Sequence, residues 1–245
     1  MDMRAVDRSS RFAERVAKML ERVESRPAVS ATEREAAYRL RYDAYLRRNL
    51  LTPRVDEMLY DERYDPIPSA LTTVTYIDGE LASTVRVHVV AAPQTVSPAN
   101  DVFPEVLHPL LSSRRVVVEP SRLAASAEMA AKFPELPYFA LRPPWMAAQH
   151  FNADFIVLSC ASGHEGFYRR VCGHETWSGP RDYPQVSAKV VCMGLDFAAG
   201  RDRVEARYPS YRSAPSEREA LFAGFAVSLA GERNPADAQG ERVGA

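Results

Sequence analysis

The apolar run Val116-Val117-Val118 ends abruptly in Glu119-Pro120-Ser121-Arg122. A short, wholly apolar strand is covered on both faces, so it belongs at the centre of a sheet. Here it passes directly from core to a carboxylate, a hydroxyl and a guanidinium. Few folds tolerate that: the central strand must deliver polar chemistry to the rim of its sheet.

The rest of the chain supports an α/β reading. Phe12, Val16, Met19 and Val23 fall at helical spacing within residues 9–25, and Pro27 is expected to end that helix. Thr32-Glu-Arg-Glu35 has the form of a capping box for a second helix running to about Arg48. Leu50–Pro68 is rich in proline and charge and is expected to be loop. Strands are expected over 71–77 and 81–91, joined at Asp78-Gly79, a strong hairpin signal. A long excursion over 93–109 precedes the strand at Val116–Glu119. A helix over 139–151, a strand over 154–160, a short helix over 164–171 and a strand over 186–197 follow. The expected fold is a mixed, mostly antiparallel sheet with helices on both faces. Three stretches are expected: an amphipathic helical extension at 1–30, a domain at 31–200, and a partly disordered extension at 201–245.

Bulk properties narrow the function. With 245 residues, 46% apolar and 26% charged, the chain has a globular balance and enough length for a sizeable core. It contains no apolar stretch of membrane-spanning length and no signal-peptide pattern, so stable membrane insertion is not expected and a cytoplasmic location is. Cys160, Cys172 and Cys192 follow no metal spacing, and an odd count argues against a disulfide framework. The net charge of −1 hides a basic first 48 residues followed by an acidic stretch to residue 105. Nothing combines basic clustering with exposed aromatics as nucleic-acid binding requires.

Several polar residues invite a functional reading beside a structural one. Glu119 and Arg122, leaving one strand, can lean into a common cleft, the guanidinium holding the carboxylate ionised. That arrangement suits either a proton acceptor for an amine or a structural ion pair. Arg86 lies in the strand Thr84-Val-Arg-Val-His88 and needs a carboxylate if its face is covered. Glu62 and Asp65 are the loop-borne candidates. They either tie the loop down or, with Arg41, frame an acceptor pocket. Tyr168 is a proton donor or a packed ring; His164 is a base or a helix cap.

Taken in order, Arg41-x-x-x-Tyr45, Glu62-x-x-Asp65, Arg86 and Glu119-x-Ser-Arg122 resemble the signature of the acyl-homoserine-lactone (autoinducer) synthases. The stretch Ser162-Gly-His-Glu-Gly-Phe-Tyr-Arg-Arg-Val-Cys-Gly-His-Glu175 is more similar to the related N-acyl amino acid synthases. Both belong to the GNAT superfamily, and the resemblance covers roughly residues 35–197. Tyr45 stands where the autoinducer synthases have Phe, Glu62 where they have Asp, and His174 where Phe is usual. Leu50-Leu51 replaces their Trp, which favours an amino acid or another small amine over S-adenosylmethionine as acceptor.

The resemblance implies a GNAT-like sheet splayed between its fourth and fifth strands, and an N-acyltransferase moving a fatty acyl group from a thioester to a small amine. It assigns proton transfer and orientation to Glu119, Arg122, Tyr168 and His164. Arg41, Glu62, Asp65 and Arg86 are assigned to the acceptor, and Ser121, Leu123, Phe139, Trp145, Met146 and Phe155 to the acyl donor. No tightly bound cofactor or metal is implied; an acyl-phosphopantetheine thioester is the co-substrate. Acyl-CoA-dependent relatives cradle pyrophosphate in a glycine-rich loop, but Pro137–Ala148 has no glycine and carries Pro143-Pro144. An acyl-carrier protein is therefore the expected partner. Arg114, Arg115, Lys132, Arg142, Arg169 and Arg170 are candidates for its docking. The alternatives are an autoinducer synthase and a non-catalytic binding protein of the same fold.

Overall fold

The structure is a computed structural model and describes residue 12 and residues 14–225. The end of the expected extension at 201–245 and the start of the first helix lie outside the described residues. Among the described residues seven strands form one sheet: β1 Val23–Pro27, β2 Ala70–Ile77, β3 Glu80–Val90, β4 Val117–Ala125, β5 Phe155–Ala161, β6 Glu175–Tyr183 and β7 Val186–Asp196. Their order is β1-β2-β3-β4-β5-β7-β6, antiparallel throughout except for β4 beside β5.

The hairpin between β2 and β3 turns at Asp78 and Gly79, both at positive φ (53° and 81°), as a two-residue loop between twisted strands requires. The first helix stops earlier than its pattern suggests. It closes through a 3₁₀ turn at Leu20–Arg22, and Val23–Pro27 becomes an edge strand along β2. Only one face of that strand is covered, and Pro27 is tolerated at such an edge. The next helix, Ala31–Leu46, opens on Ser30, whose hydroxyl accepts from Glu33 N–H while the Glu33 carboxylate accepts from Ser30 N–H. The box thus sits two residues before the expected one.

Alternation along the central strands divides the core. Val118, Val85 and Val87 face Trp145, Met146, Tyr208 and Leu221 on one side. Val117, Val90 and Val157 face Phe103 and Leu107 on the other, where the excursion folds into two short helices, Pro98–Val102 and Pro104–Ser112. The chain after β7 is part of this core: Phe197–Arg207 and Pro215–Phe222 bury Phe197, Val204, Leu221 and Phe222 in the first cluster. Among the described residues, no helix is long and apolar enough to cross a membrane.

One irregularity positions everything functional. β4 and β5 pair at only two positions, Val117 with Phe155 and Val118 with Ile156. Beyond them β4 stays with β3 as far as Ala125, while β5 stays with β7 as far as Ala161. The β3–β4 register also slips: Thr84 opposes Ala124, but Arg86 opposes Ser121, so Arg122 and Leu123 together face Val85. Such a bulge bends its strand and sharpens the local twist. Pro120, with no N–H to offer, suits a strand whose outer edge has just lost its partner. The sheet splits, and a slot opens through it.

Candidate active site

The slot is a cavity of about 560 Å³. Tyr45 and Tyr183, with Arg122 between their rings, line it, as do Ala127, Ala130, Pro137 and Ala140. The β5 residues Leu158–Ala161, with Phe167 and Tyr168, also line it. Its shape follows from the strand geometry: two strands that separate expose backbone and side chains that a continuous ladder would cover.

Behind the Arg122 end sits a buried charged cluster. Arg41 Nη1 donates to Asp65 Oδ1 at 2.8 Å, and Arg86 Nη1 lies 3.2 Å from Asp65 Oδ2. Arg41 also donates to Thr72 Oγ1 at 2.8 Å, and Asp61 N–H donates to Asp65 Oδ2 at 2.8 Å. Burial opposes the charge on Asp65, but Arg41 and Arg86 outweigh it and hold the carboxyl below its usual range. Arg86 Nε donates to Ser121 Oγ at 3.0 Å, tying the cluster to β4 just before the bulge.

The second carboxylate of the cluster is Asp61, which the spacing argument passed over. Arg122 Nη2 lies 3.4 Å from Asp61 Oδ2 and donates to Pro184 O at 3.0 Å. Glu62 is exposed. A Glu-x-x-Asp spacing cannot show which face of an irregular loop turns inward. The bends here turn Asp61 and Asp65 in and leave Glu62 in solvent.

Arg122 reaches the slot because its backbone is left-handed, φ 53°, at the bulge. Glu119 does not follow it. Its fully buried carboxylate accepts from Ala99 N–H at 3.0 and 3.2 Å and from the Ser97 hydroxyl, on the face of the short helices. The expectation that a guanidinium keeps Glu119 ionised is corrected. Burial dominates and pushes it up to about 7, against the hydrogen bonds from Ser97 and Ala99 and the charge of Arg86. Glu119 is thus a group poised to give or take a proton near neutrality.

Ser121, Leu123, Tyr168 and His164 all line the slot. Burial raises the Tyr168 phenol well above its usual value, so it stays protonated. His164 is exposed at the head of Glu165–Val171 and makes no side-chain cap bond. Phe139, Trp145, Met146 and Phe155, expected against an acyl chain, pack elsewhere. Trp145 donates to Glu205 at 3.2 Å inside the first core, and Phe155 stacks edge-on against Trp177 at 5.7 Å. Large apolar side chains fill the cores, and the alanines are what leave room.

The basic residues divide likewise. Arg142 is buried: Nη2 is 2.9 Å from Glu217 Oε2, and Nε donates to Ser210 O at 2.7 Å, so it anchors the helix Pro215–Phe222 and is not available for docking. Arg115 pairs with Asp154 at 3.1 Å. Arg114, Lys132, Arg169 and Arg170 are exposed. Arg47 and Arg48 also line the slot, a placement that no local pattern signals. Cys160, also in the wall, is a buried thiol pushed up to about 12 and inert as a nucleophile. Among the described residues, no cluster of metal-binding side chains occurs.

A family model, N-acyl amino acid synthase FeeM, matches residues 36–196. The chain belongs to that family. No curated protein matches it significantly. Among solved structures it is similar to FeeM, an N-acyl amino acid synthase from uncultured soil microbes. The TM-score is 0.62 at 19% identity, covering 76% of this chain and 97% of that one. It is also similar to the acyl-homoserine-lactone synthase LasI (TM-score 0.53, 17% identity, 74% and 94% covered). The CoA-dependent acyl-homoserine-lactone synthase MesI is comparably close (0.52, 17%, 79% and 97%). These likenesses give the GNAT-like fold, and the family gives the reaction class. This N-acyl amino acid synthase family member is an N-acyltransferase.

Proposed function

We propose that the enzyme moves a fatty acyl group from the phosphopantetheine thioester of an acyl-carrier protein to the amine of an amino acid. The observation that carries this reading is the slot through the sheet at the β4–β5 split. It is open to solvent-exposed arginines, lined by small apolar residues, and bordered by a buried ionic cluster. A thioester carbonyl lying in it meets the edge of β4 just past Glu119, where backbone N–H groups near Ser121–Leu123 are free of β5 and can stabilise an oxyanion.

The amine nitrogen attacks the carbonyl carbon, the C–N bond forms, and the C–S bond breaks. The proton shed by the amine passes through water to Glu119, and Tyr168 donates a proton to the departing sulfur. Arg122 orients the acceptor, and His164 stands at the slot mouth. Asp65, with Arg41 and Arg86, keeps the acceptor wall rigid.

The choice of donor rests on the helix Arg142–His150. Its first turn carries Pro143 and Pro144, which have no N–H, and Arg142 is taken by Glu217. That supports a donor whose phosphate is held elsewhere than on this helix. The exposed pair Arg169 and Arg170, on the helix of Tyr168, suits an acidic carrier protein.

The test is thiol release by the purified enzyme with long-chain acyl-carrier protein or acyl-CoA and a panel of amino acids, followed by product mass spectrometry. The expected product is an open N-acyl amino acid formed from the carrier protein. A lactone, or no thiol release with any acceptor, would overturn the reading. Charge reversal at Arg169 and Arg170 is expected to slow turnover with carrier protein; unchanged rates would remove that docking surface.

A further inference from the structure

We propose that Tyr183 carries the acceptor's proton out of the slot to Glu119, its hydroxyl taking up one proton as it passes its own on. This rests on the acyl-transfer reading above and joins the base of that reading to its substrate.

Glu119 is fully buried and does not line the slot, so an amine held there cannot meet its carboxylate. Another group must stand between them. Around Glu119, Arg86 and His88 come from β3, Ser97 and Asp101 from the short helix Pro98–Val102 and its cap, and Cys192 from β7. None of these lines the slot. Tyr183 does. It also packs in one apolar cluster with Val117, Phe103, Cys192 and Ala99, the residue whose N–H holds the Glu119 carboxylate. The centroid of the same ring lies 5.6 Å from the Arg122 guanidinium, which is in the slot wall. One side chain thus belongs both to the face of Glu119 and to the slot.

Its chemistry suits a relay. Among the described residues the Tyr183 hydroxyl has no hydrogen-bond partner, and unlike that of Ser159 it is not sealed off from the slot. Burial keeps the phenol protonated, and the charge of Glu119 acts in the same direction. A hydroxyl accepts one proton while donating another, so the ring need not ionise. Glu119 accepts from Ala99 N–H and from the Ser97 hydroxyl, and a carboxylate offers about four acceptor positions, which leaves room for a third donor. Ser121 is the rival. It lines the slot two residues along the strand from Glu119, but its hydroxyl already accepts from Arg86 Nε at 3.0 Å.

As nitrogen bonds to the thioester carbon, its N–H proton passes to Tyr183 Oη, directly or across one water. The phenol proton moves to a Glu119 oxygen, and the N–H electron pair stays on nitrogen. The C–S pair leaves with sulfur, which takes the proton of Tyr168. Glu119 then returns its proton along the same path and restores Tyr168.

The experiment follows thiol release with one long-chain acyl-carrier protein and the amino acid used fastest in the panel above. Tyr183→Phe removes a single oxygen and keeps the ring beside Arg122. It is expected to lower kcat by about 10²-fold, to leave the acceptor KM within about threefold, and to erase the limb of the pH profile that Glu119 sets. Adding Glu119→Gln to it should cost little more, since two members of one path do not add. Ser121→Ala, whatever its rate, is expected to keep the limb. A wild-type rate in Tyr183→Phe overturns the inference and leaves acyl transfer standing. So does a slower variant that retains the limb, which marks the ring as packing only, or a double variant whose losses multiply. Loss of the limb in Ser121→Ala instead assigns the relay to Ser121. A wild-type measurement needs no variant to fold: in mixtures of light and heavy water, kcat is expected to fall along a curve, as two or more moving protons require. A straight line overturns the relay. Absence of thiol release with every acceptor overturns the proposed function and this inference together.

Discussion

Glu119 stands directly opposite His88 across the β3–β4 ladder, and both side chains are fully buried. Burial holds the imidazole neutral and keeps the carboxyl half-protonated near pH 7. Neither lines the slot, so any proton Glu119 exchanges with an acceptor travels through a relay. Tyr183 is in position for one: it lines the slot, and its phenol, kept protonated by burial, also feels the charge of Glu119.

If Glu119 is the base, turnover depends on its ionised form. The kcat/KM profile should therefore rise with pH through about 7 and level off above it. Glu119→Gln is expected to lower turnover by about 10²-fold or more and to erase that limb. A pH profile of both proteins decides it; a wild-type profile flat from pH 6 to 8 would remove Glu119 from the scheme.

Asp65 holds two guanidiniums with no exposure to solvent on either arginine. Asp65→Asn leaves both buried charges uncompensated and should destabilise the fold by about 3–5 kcal/mol. Urea unfolding measures this. Replacing Arg41, Asp65 and Arg86 together by apolar residues of similar size is expected to recover much of the loss, because the attraction within the cluster is largely offset by the desolvation of its charges.

Ala130 and Ala140 lie in the slot wall where the bulky residues expected there are absent. Ala140→Phe should shorten the acyl chain the enzyme accepts while leaving the charged end untouched. Competition between long and short acyl donors, read by product mass, tests this. An unchanged chain profile would place the acyl group outside this end of the cavity.

His174 is buried without a partner for either ring nitrogen, beside the ring of Tyr168. Burial lowers it to about 3 from an ordinary 6.5. Below pH 6.5 the unfolded chain takes up a proton that the folded one refuses, so stability falls as pH falls. The loss is about 2 kcal/mol between pH 6.5 and 5. His174→Phe should remove that slope and stabilise the protein at neutral pH by relieving two unsatisfied polar atoms. Parallel slopes in denaturant titrations at pH 5 and 7 would refute it.

Much of the frame is legible before any coordinates. The Asp78-Gly79 turn, the apolar β4 and β5 and the capped helix at residue 31 are local patterns, and local patterns report backbone geometry. The weakly apolar β1 and β6 are not legible, since their burial comes from neighbours and not from their own sequence. Arg142 shows the same limit at one residue: an arginine beside two prolines reads as surface until Glu217 and Ser210, far along the chain, fold over it.

The sequence alone determined the chemistry at hand: a carboxylate, a hydroxyl and a guanidinium at the end of a central strand, with an ordered set of charged partners before it. Tertiary structure decided which way each one faces. A bulge at Arg122 turns that side chain into the slot, while alternation sends Glu119 to the face of the short helices, where Ala99 N–H meets it. Side-chain type is written residue by residue, but its direction depends on strand register. Register is settled only when β3 and β5 compete for the two edges of β4.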